Sequence, residues 1–251
     1  MYEIDRGSGY PLTLDPGAGE MPVWSPKGDW IAYRNETGLY RIQPGPNPQP
    51  QLILASDGLE LPSSWSPDGK ELIFTRLEKH GREVAAVKVE GASGETRLLV
   101  QNAKDAYLGR VSPGGRWLAY ATNVSGRAEV WIQAYPEAVA GQSLLVSSQG
   151  GTDPVWSRDG KTLFFLTNDF TAIMGVATDQ DLSKWGLPEA VCELDPRFFV
   201  PADFVSTYDV APDGRFVFVN SLSDRSPPEI RVVLNWFEEL KRLVPVPETK
   251  K

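Results

Sequence analysis

The sequence predicts an all-β fold, a β-propeller built of four-stranded antiparallel blades. Three observations predict it: a tight-turn motif recurs five times, an apolar strand follows each copy, and successive copies begin 41, 46, 45 and 54 residues apart. A repeat period of this size is typical of propeller blades with four strands each. The copies begin at Trp24, Trp65, Val111, Trp156 and Val210.

The turn motif reads Trp-Ser-Pro-Asp-Gly in the copy at Trp65–Gly69. Proline in the third position of four copies presets φ for the second position of a type I turn. Because only glycine adopts a left-handed backbone without steric cost, the fifth position is expected to have a positive φ. That position is glycine in every copy, at Gly28, Gly69, Gly115, Gly160 and Gly214. Each motif is therefore predicted to join two strands as a hairpin.

The strand directly after each turn, which is the second strand of its blade, is continuously apolar. This pattern indicates a strand covered on both faces by neighbouring blades. The predicted second strands are Trp30–Tyr33, Leu72–Phe74, Trp117–Tyr120, Leu163–Leu166 and Phe216–Val219. The predicted third strands are Gly38–Ile42, Val84–Val89, Ala128–Ala134, Ala172–Ala177 and Ile230–Asn235. The predicted outer strands are Gln51–Leu54, Thr96–Val100, Leu144–Val146 and Ala190–Leu194.

The number of blades depends on how the two ends of the chain are used. The fifth copy has no evident outer strand, whereas Tyr10–Leu14 precedes the first copy and belongs to no blade that follows. Pairing this N-terminal strand with the last blade would close a ring of five blades and cover both open edges. Six blades is the alternative, with Tyr2–Asp5 and Leu12–Leu14 as the remnant of an incomplete blade. We predict one propeller domain over residues 1–251, with a short helix at Phe237–Leu243.

The composition excludes several classes of function. The formal net charge of -8 argues against a nucleic-acid partner, because phosphate binding requires a basic surface. With Cys192 as the only cysteine and His80 as the only histidine, the sequence predicts no internal disulfide and no transition-metal site. No signal peptide or membrane span is evident, so the chain is expected to be soluble and cytoplasmic as written, or extracytoplasmic as a fragment of a longer protein.

The segment Trp65–Lys70, followed by Leu72–Phe74, resembles the TolB-type propeller repeat, a relative of the WD repeat, and the likeness covers nearly the whole chain. The stretches Gly109–Tyr120 and Tyr208–Gly214 are similar to the C-terminal propellers of some bacterial Ser/Thr kinases. This resemblance implies a protein- or ligand-sensing module, the regulatory part of a larger kinase or peptidase. The repeat is specific for fold rather than for function.

Residues of the common catalytic sites are missing from the sequence. His80 lies in the polar segment Glu78–Arg82, where a solvated loop residue is expected rather than the base of a Ser-His-Asp site. There is no kinase catalytic loop and no G-x-S-x-G elbow, so we predict a non-catalytic protein without a cofactor. The alternative is a carbohydrate-active hydrolase that uses two carboxyl groups at the channel mouth. The acids available there are Glu20, Glu60, Asp105, Asp153 and Asp209.

Differences between the repeats indicate where a ligand binds. Trp24, Trp65 and Trp156 recur in register and are interpreted as blade-core residues. At the preceding position, Arg110 and Asp209 carry charges where the other copies are uncharged, so the two residues either pair or contact a ligand. Loops on a rigid scaffold are a usual place for binding, and a protein segment or small ligand is the expected partner. The candidate ligand-binding residues, expected on one rim of the channel, are Glu20, Glu60, Tyr107, Arg110, Asp153, Tyr208 and Asp209.

Overall fold

The computed structural model describes residues 2–3, 8–9, 12–13, 19–45, 47–91, 94–101, 105–139, 142–195, 205–211 and 213–218. The regular structure of these residues is β-strand, apart from a 3-10 turn at Leu182–Lys184. By its internal contacts the chain divides into Met1–Asn220 and Ser221–Lys251, and every described residue belongs to the first unit. One domain over the whole chain therefore stays a prediction.

Four antiparallel sheets of four strands follow a two-stranded hairpin at the N-terminus, formed by β1 (Tyr2–Glu3) and β2 (Ser8–Gly9). In each sheet the strands are ordered as they occur in the sequence, with the strand that contains the repeat aromatic or Val111 at one edge. Blade 1 consists of β3 (Glu20–Trp24), β4 (Ile31–Asn35), β5 (Gly38–Ile42) and β6 (Gln51–Ala55). Blade 2 consists of β7 (Glu60–Trp65), β8 (Glu71–Glu78), β9 (Gly81–Lys88) and β10 (Thr96–Leu98). Blade 3 consists of β11 (Ala106–Val111), β12 (Trp117–Thr122), β13 (Glu129–Ala134) and β14 (Ser143–Leu145). Blade 4 consists of β15 (Thr152–Trp156), β16 (Thr162–Leu166), β17 (Ala172–Ala177) and β18 (Glu189–Glu193). The predicted fold class, all-β with four-stranded antiparallel blades, is confirmed.

The fifth copy contributes two described strands, β19 (Tyr208–Val210) and β20 (Phe216–Phe218), which pair antiparallel. Its predicted third strand and the C-terminal helix lie outside the described residues. Of the predicted closing strand Tyr10–Leu14, the structure describes Leu12 and Thr13, which are not in a strand. Leu12 packs against buried residues of blade 1. Five blades and closure of the ring therefore stay predictions.

The repeat turns have the predicted geometry. The glycine N–H donates to the carbonyl three residues earlier in all five copies, and the glycine φ is 72°, 74°, 70°, 69° and 84° in chain order. In four copies the motif serine strengthens the turn, because its hydroxyl accepts the N–H five residues later, as Ser66 does from Glu71 at 2.9 Å. The fifth copy has Ala211 at this position and lacks that bond. The turns thus hold the first and second strands of each blade together.

The core lies between neighbouring blades, as the continuous apolar strands predict. Leu72 and Phe74 of β8 are fully buried with Ala32 and Leu39 of blade 1 in one cluster. Trp117 and Ala119 of β12 form an equivalent cluster with blade 4. Each second strand therefore contacts a neighbouring blade, and burial of its side chains stabilises the stack of sheets.

The repeated tryptophans have two different environments. Trp65 and Trp156 are buried, and their indole N–H groups donate to the carbonyls of Val23 (3.1 Å) and Arg110 (3.0 Å) on the preceding blade. Trp24, in contrast, is 51% exposed, so its prediction as a blade-core residue is wrong. The preceding blade buries Trp65 and Trp156 at this position of the repeat. Trp24 is at the same position but belongs to the first blade of the series.

This difference gives a matched pair of variants. Trp65→Ala should lower the free energy of unfolding by about 3 to 5 kcal/mol, because it leaves a cavity in the core and removes a buried hydrogen bond. Trp24→Ala should lower it by about 1 kcal/mol or less, since half of that side chain already contacts solvent. Urea unfolding of both variants measures the effect. Equal losses would contradict the assignment of these two environments.

Candidate functional site

The first strands of the blades line a central cavity of about 800 Å³. Its wall is largely apolar, with prolines of the repeat turns, such as Pro67 and Pro113, at one side. The residues along the wall include Met21–Trp24, Leu61–Trp65, Arg110, Val155–Arg158 and Val205–Val210. A smaller side pocket of about 190 Å³ lies where the first strands of blades 3 and 4 begin. Its lining is Arg82, Tyr107, Leu108, Ala128, Thr152, Asp153, Leu166, Asn168, Phe170 and Thr207.

The first strands are bulged near their starts. The pairing register shifts between Glu20 and Val23 in β3, and at equivalent positions of β7, β11 and β15. Three of these bulges hold a non-glycine residue at positive φ: Met21 (57°), Leu108 (54°) and Asp153 (50°). Bulges and strained backbone of this kind are concentrated near functional sites, where a bulge changes the direction of a side chain. Leu108 and Asp153 line the side pocket together with Phe170, which also has a positive φ of 57°.

Arg110 is one of two cations that line the central cavity among the described residues, the other being Arg158. Its Nε is buried without a hydrogen-bond partner, and no other described residue accepts a bond from its guanidinium. Asp209 also lines the cavity, but it does not form an ion pair with Arg110, and its Oδ1 accepts the N–H of Val210 at 2.9 Å. The expected pairing of the two residues is therefore not formed. Arg110 keeps hydrogen-bond donors available to a ligand.

Asp153 is buried in the wall beside Arg110. Its Oδ2 accepts the Thr207 N–H at 3.1 Å, while its Oδ1 is buried without a partner. Burial raises the pKa of Asp153 to about 6, although the Arg110 guanidinium opposes this change. The Tyr208 hydroxyl donates to the Asp153 carbonyl at 3.0 Å, and burial, followed by the nearby Asp153 charge, raises the pKa of Tyr208 well above its usual value. Blade 4 and the fifth copy are thus joined by a buried polar contact.

The other predicted acids are neutralised by arginines on the neighbouring strand or blade. Glu20 pairs with Arg34 at 2.9 Å. Glu60 is buried and lies 3.4 Å from Arg76, with its Oε2 unpartnered. In blade 3, Asp105 accepts two bonds from Arg82, whose guanidinium stacks over the Tyr107 ring.

The seven predicted residues have three different surroundings, and their place on one rim of the channel stays a prediction. Tyr107 and Asp153 line the side pocket. Arg110, Tyr208 and Asp209 line the central cavity. The remaining two, both at the starts of first strands, are the ion-paired Glu20 and Glu60. Whether any of them binds a ligand stays a prediction.

Sequence reasoning missed Arg158 of the central cavity and several residues of the side pocket. Arg158 occupies the third position of the turn motif, which is proline in the other four copies. The rule that identified Arg110, a departure from the repeat, would also have identified Arg158. Phe170 and Asn168 of the side pocket carry no such signal, because they lie in a loop between strands that does not repeat.

Comparison with known proteins agrees with the architecture. No family model matches the chain. An uncharacterised protein of Agrobacterium fabrum, Atu1656, is 22% identical over 196 residues, which cover 60% of this chain and 66% of that protein. The crystal structure of TolB from Acinetobacter baumannii superposes with a TM-score of 0.61 and 16% identity over 81% of this chain. The chain has a TolB-like β-propeller fold.

Two further solved structures share this TolB-like fold. The Pseudomonas aeruginosa periplasmic gluconolactonase PpgL has a TM-score of 0.60 and 17% identity, covering 87% of this chain and 70% of its own. A Mycobacterium tuberculosis puromycin-hydrolyzing peptidase has a TM-score of 0.59 and 22% identity, covering 80% of this chain and 33% of its own. The present chain spans only 48% of the TolB chain. At these identities the likeness shows the fold alone.

Among the described residues of the TolB-like propeller, no group of three His, Cys, Asp or Glu side chains is arranged to hold a metal ion. His80 is exposed in the turn between β8 and β9. The same part of the chain contains no helix of the length and hydropathy required to cross a membrane.

The raised pKa of Asp153 predicts how stability depends on pH. The folded protein keeps this proton up to about pH 6, whereas the unfolded chain loses it near 3.8, so stability falls as the pH rises between these values. Relative to Asp153→Asn, the wild-type free energy of unfolding should fall by about 2 to 3 kcal/mol between pH 4 and pH 8, at roughly 1.4 kcal/mol per pKa unit. Denaturant unfolding across this range measures the difference. Parallel pH profiles would contradict it.

Proposed function

We propose that this TolB-like propeller is a non-catalytic binding module that takes a segment of another protein into its central cavity. The observation that carries this proposal is Arg110, whose guanidinium has no hydrogen-bond partner among the described residues and lines a largely apolar cavity. A cavity with apolar walls and a few polar groups is the usual form of a binding site. In such a site the polar groups orient the ligand and the apolar wall supplies contact area.

The arrangement of acids supports binding over hydrolysis. Glycoside cleavage needs two carboxyl groups on either side of the bond that breaks. Among the described acids at the strand starts, Glu20, Glu60 and Asp105 face arginines in ion pairs and Asp153 is buried. Turnover of a glycan or lactone by the pure protein would instead favour the hydrolase alternative, which the gluconolactonase neighbour keeps open.

We further propose that the module acts as the regulatory part of a larger protein, such as a kinase or a peptidase. The chain covers about a third of the puromycin-hydrolyzing peptidase, so in that protein the shared fold accompanies other chain segments. The resemblance of Gly109–Tyr120 to kinase-linked propellers supports the same arrangement.

Selection from a phage-displayed library of random peptides tests the binding proposal. Val23 and Val205 line the cavity, and a tryptophan at either position would fill part of it. Peptides selected on the wild-type protein should bind Val23→Trp and Val205→Trp at least about tenfold more weakly, a loss of roughly 1.4 kcal/mol. Thermal melting of each variant verifies its fold.

Val124→Trp provides the matched control. Val124 is 61% exposed in the turn between β12 and β13, outside the cavity lining, so the same substitution there should leave peptide affinity unchanged. A library that yields no peptide sensitive to Val23→Trp and Val205→Trp would contradict the proposal.

A further inference from the structure

The side pocket is a second concave site, which the proposed function does not use. It lies where the first strands of blades 3 and 4 begin, and blade 2 and the segment before β19 also contribute to its wall, through Arg82 and Thr207. Three of the four non-glycine residues with a positive φ in the described structure line it, namely Leu108, Asp153 and Phe170. Strained backbone of this kind is concentrated at ligand-binding sites, where the surrounding structure holds it in place.

Asp153 is a buried residue of the pocket wall, and one of its carboxyl oxygens has no donor. Its side chain accepts the Thr207 N–H through Oδ2, whereas Oδ1 is buried and has no hydrogen-bond partner in the described part of the chain. A buried polar atom without a partner costs free energy, and in native proteins an ordered water or a ligand usually satisfies such an atom. Because Asp153 lines the pocket, a molecule bound there can supply the missing donor.

The other polar groups of the pocket with unused hydrogen-bonding capacity are also oxygens. Asn168 donates through Nδ2 to the Ala128 carbonyl at 3.1 Å, and its Oδ1 accepts no bond from a described residue. The hydroxyl of Thr207, which is 7% exposed, likewise has no hydrogen bond to any of the described residues. Two acceptors and one hydroxyl match a ligand that donates several hydrogen bonds.

The charges of the pocket favour an uncharged ligand. Arg82 and Asp153 are the charged side chains among the described residues that line it, one of each sign. Each also has an opposite charge nearby, since Arg82 pairs with Asp105 and the Arg110 guanidinium acts on the Asp153 carboxyl. An ionic ligand would bring a charge without a partner into this balanced site, which costs free energy where water is largely excluded.

The volume and the apolar residues of the pocket limit the size and shape of the ligand. Its volume of about 190 Å³ is below the roughly 300 to 1,000 Å³ of pockets for drug-sized molecules. Leu108, Leu166 and Phe170 give the wall an apolar part, against which C–H groups of a ligand can pack. The pocket therefore suits a small molecule that has hydroxyl groups on one side and C–H groups on another.

We propose that the side pocket binds an uncharged polyol of the size of one sugar, with hydroxyl groups that donate to Asp153 and Asn168 and form a hydrogen bond with Thr207. Asp153 and Asn168 line the side pocket and not the central cavity, so this site is separate from the proposed peptide site. Failure of either proposal leaves the other unaffected.

Isothermal titration calorimetry tests the class of ligand. The polyols D-glucose, D-galactose, D-ribose and myo-inositol are compared with putrescine as a cation, succinate as an anion and adenine as a flat uncharged base. At least one polyol should bind with a millimolar or lower Kd, and the other three probes should not bind. Absence of binding by all four polyols would overturn the proposal and leave water as the partner of Asp153. Binding of putrescine, succinate or adenine in place of the polyols would overturn the ligand class.

Two conservative variants test the polar contacts with the polyol that binds. Thr207→Val removes the hydroxyl and should weaken binding about three- to tenfold, as expected for one hydrogen bond between uncharged groups. Asp153→Asn should weaken it about tenfold or more at pH 8, where the carboxyl is ionised and is the stronger acceptor. Thr162→Val and Asp57→Asn are the matched controls outside the pocket and should bind as the wild type does. Equal losses in a variant and its control would contradict the assignment of the site.

A larger side chain in the pocket provides a test that does not depend on single hydrogen bonds. Ala128 lines the pocket from the turn between β12 and β13, so Ala128→Trp should fill part of it and abolish measurable binding. Val124→Trp in the same turn lies outside the lining and should retain the wild-type affinity. Thermal melting verifies the fold of each variant. Polyol binding that survives in a folded Ala128→Trp protein would place the ligand elsewhere.

Discussion

Contacts between the first strands of neighbouring blades position most of the residues that line the central cavity. The indole of Trp65 reaches the Val23 carbonyl, and the indole of Trp156 reaches the Arg110 carbonyl, so each bond joins one blade to the one before it. These buried bonds satisfy polar groups that would otherwise be desolvated without a partner. They also fix the relative height of adjacent strands, and with it the position of each side chain along the cavity.

A single glycine allows the first strand of blade 3 to approach blade 2 closely. A Cβ atom at Gly109 would collide with the side chain of Val84 on β9. With glycine there, the Ser64 hydroxyl donates to the Gly109 carbonyl at 3.1 Å and accepts the Val111 N–H at 3.3 Å. Ser64 and Arg110 occupy the same position of the repeat. In blade 2 that position joins two blades, and in blade 3 it supplies a cation to the cavity.

The site differs from its surroundings mainly by which charges are compensated. Glu20, Glu60 and Asp105, at the starts of the first strands, each form an ion pair with an arginine. Within the described residues Arg110 forms no ion pair of this kind, although its charge opposes the rise that burial causes in the pKa of the nearby Asp153. A buried donor without a hydrogen bond costs free energy in the empty protein. A ligand that accepts a bond from the Arg110 guanidinium recovers that cost, which is a physical argument for binding at this position.

The four-stranded blades, the turns and the departure of Arg110 from the repeat can all be predicted from the sequence. The turn motif requires glycine and proline for local steric reasons, so those positions repeat and are readable, and Arg110 is visible because it breaks the repeat. The pairing of charges could not be predicted in this way, since Arg82 and Asp105 come from two different blades and meet only after folding. The exposure of Trp24 to solvent depends on what lies beside the first blade. The left-handed backbone of Asp153 in a bulge could not be predicted either, because the residue is not glycine. Local backbone requirements act between near neighbours in sequence, whereas burial and charge compensation depend on residues that only folding brings together.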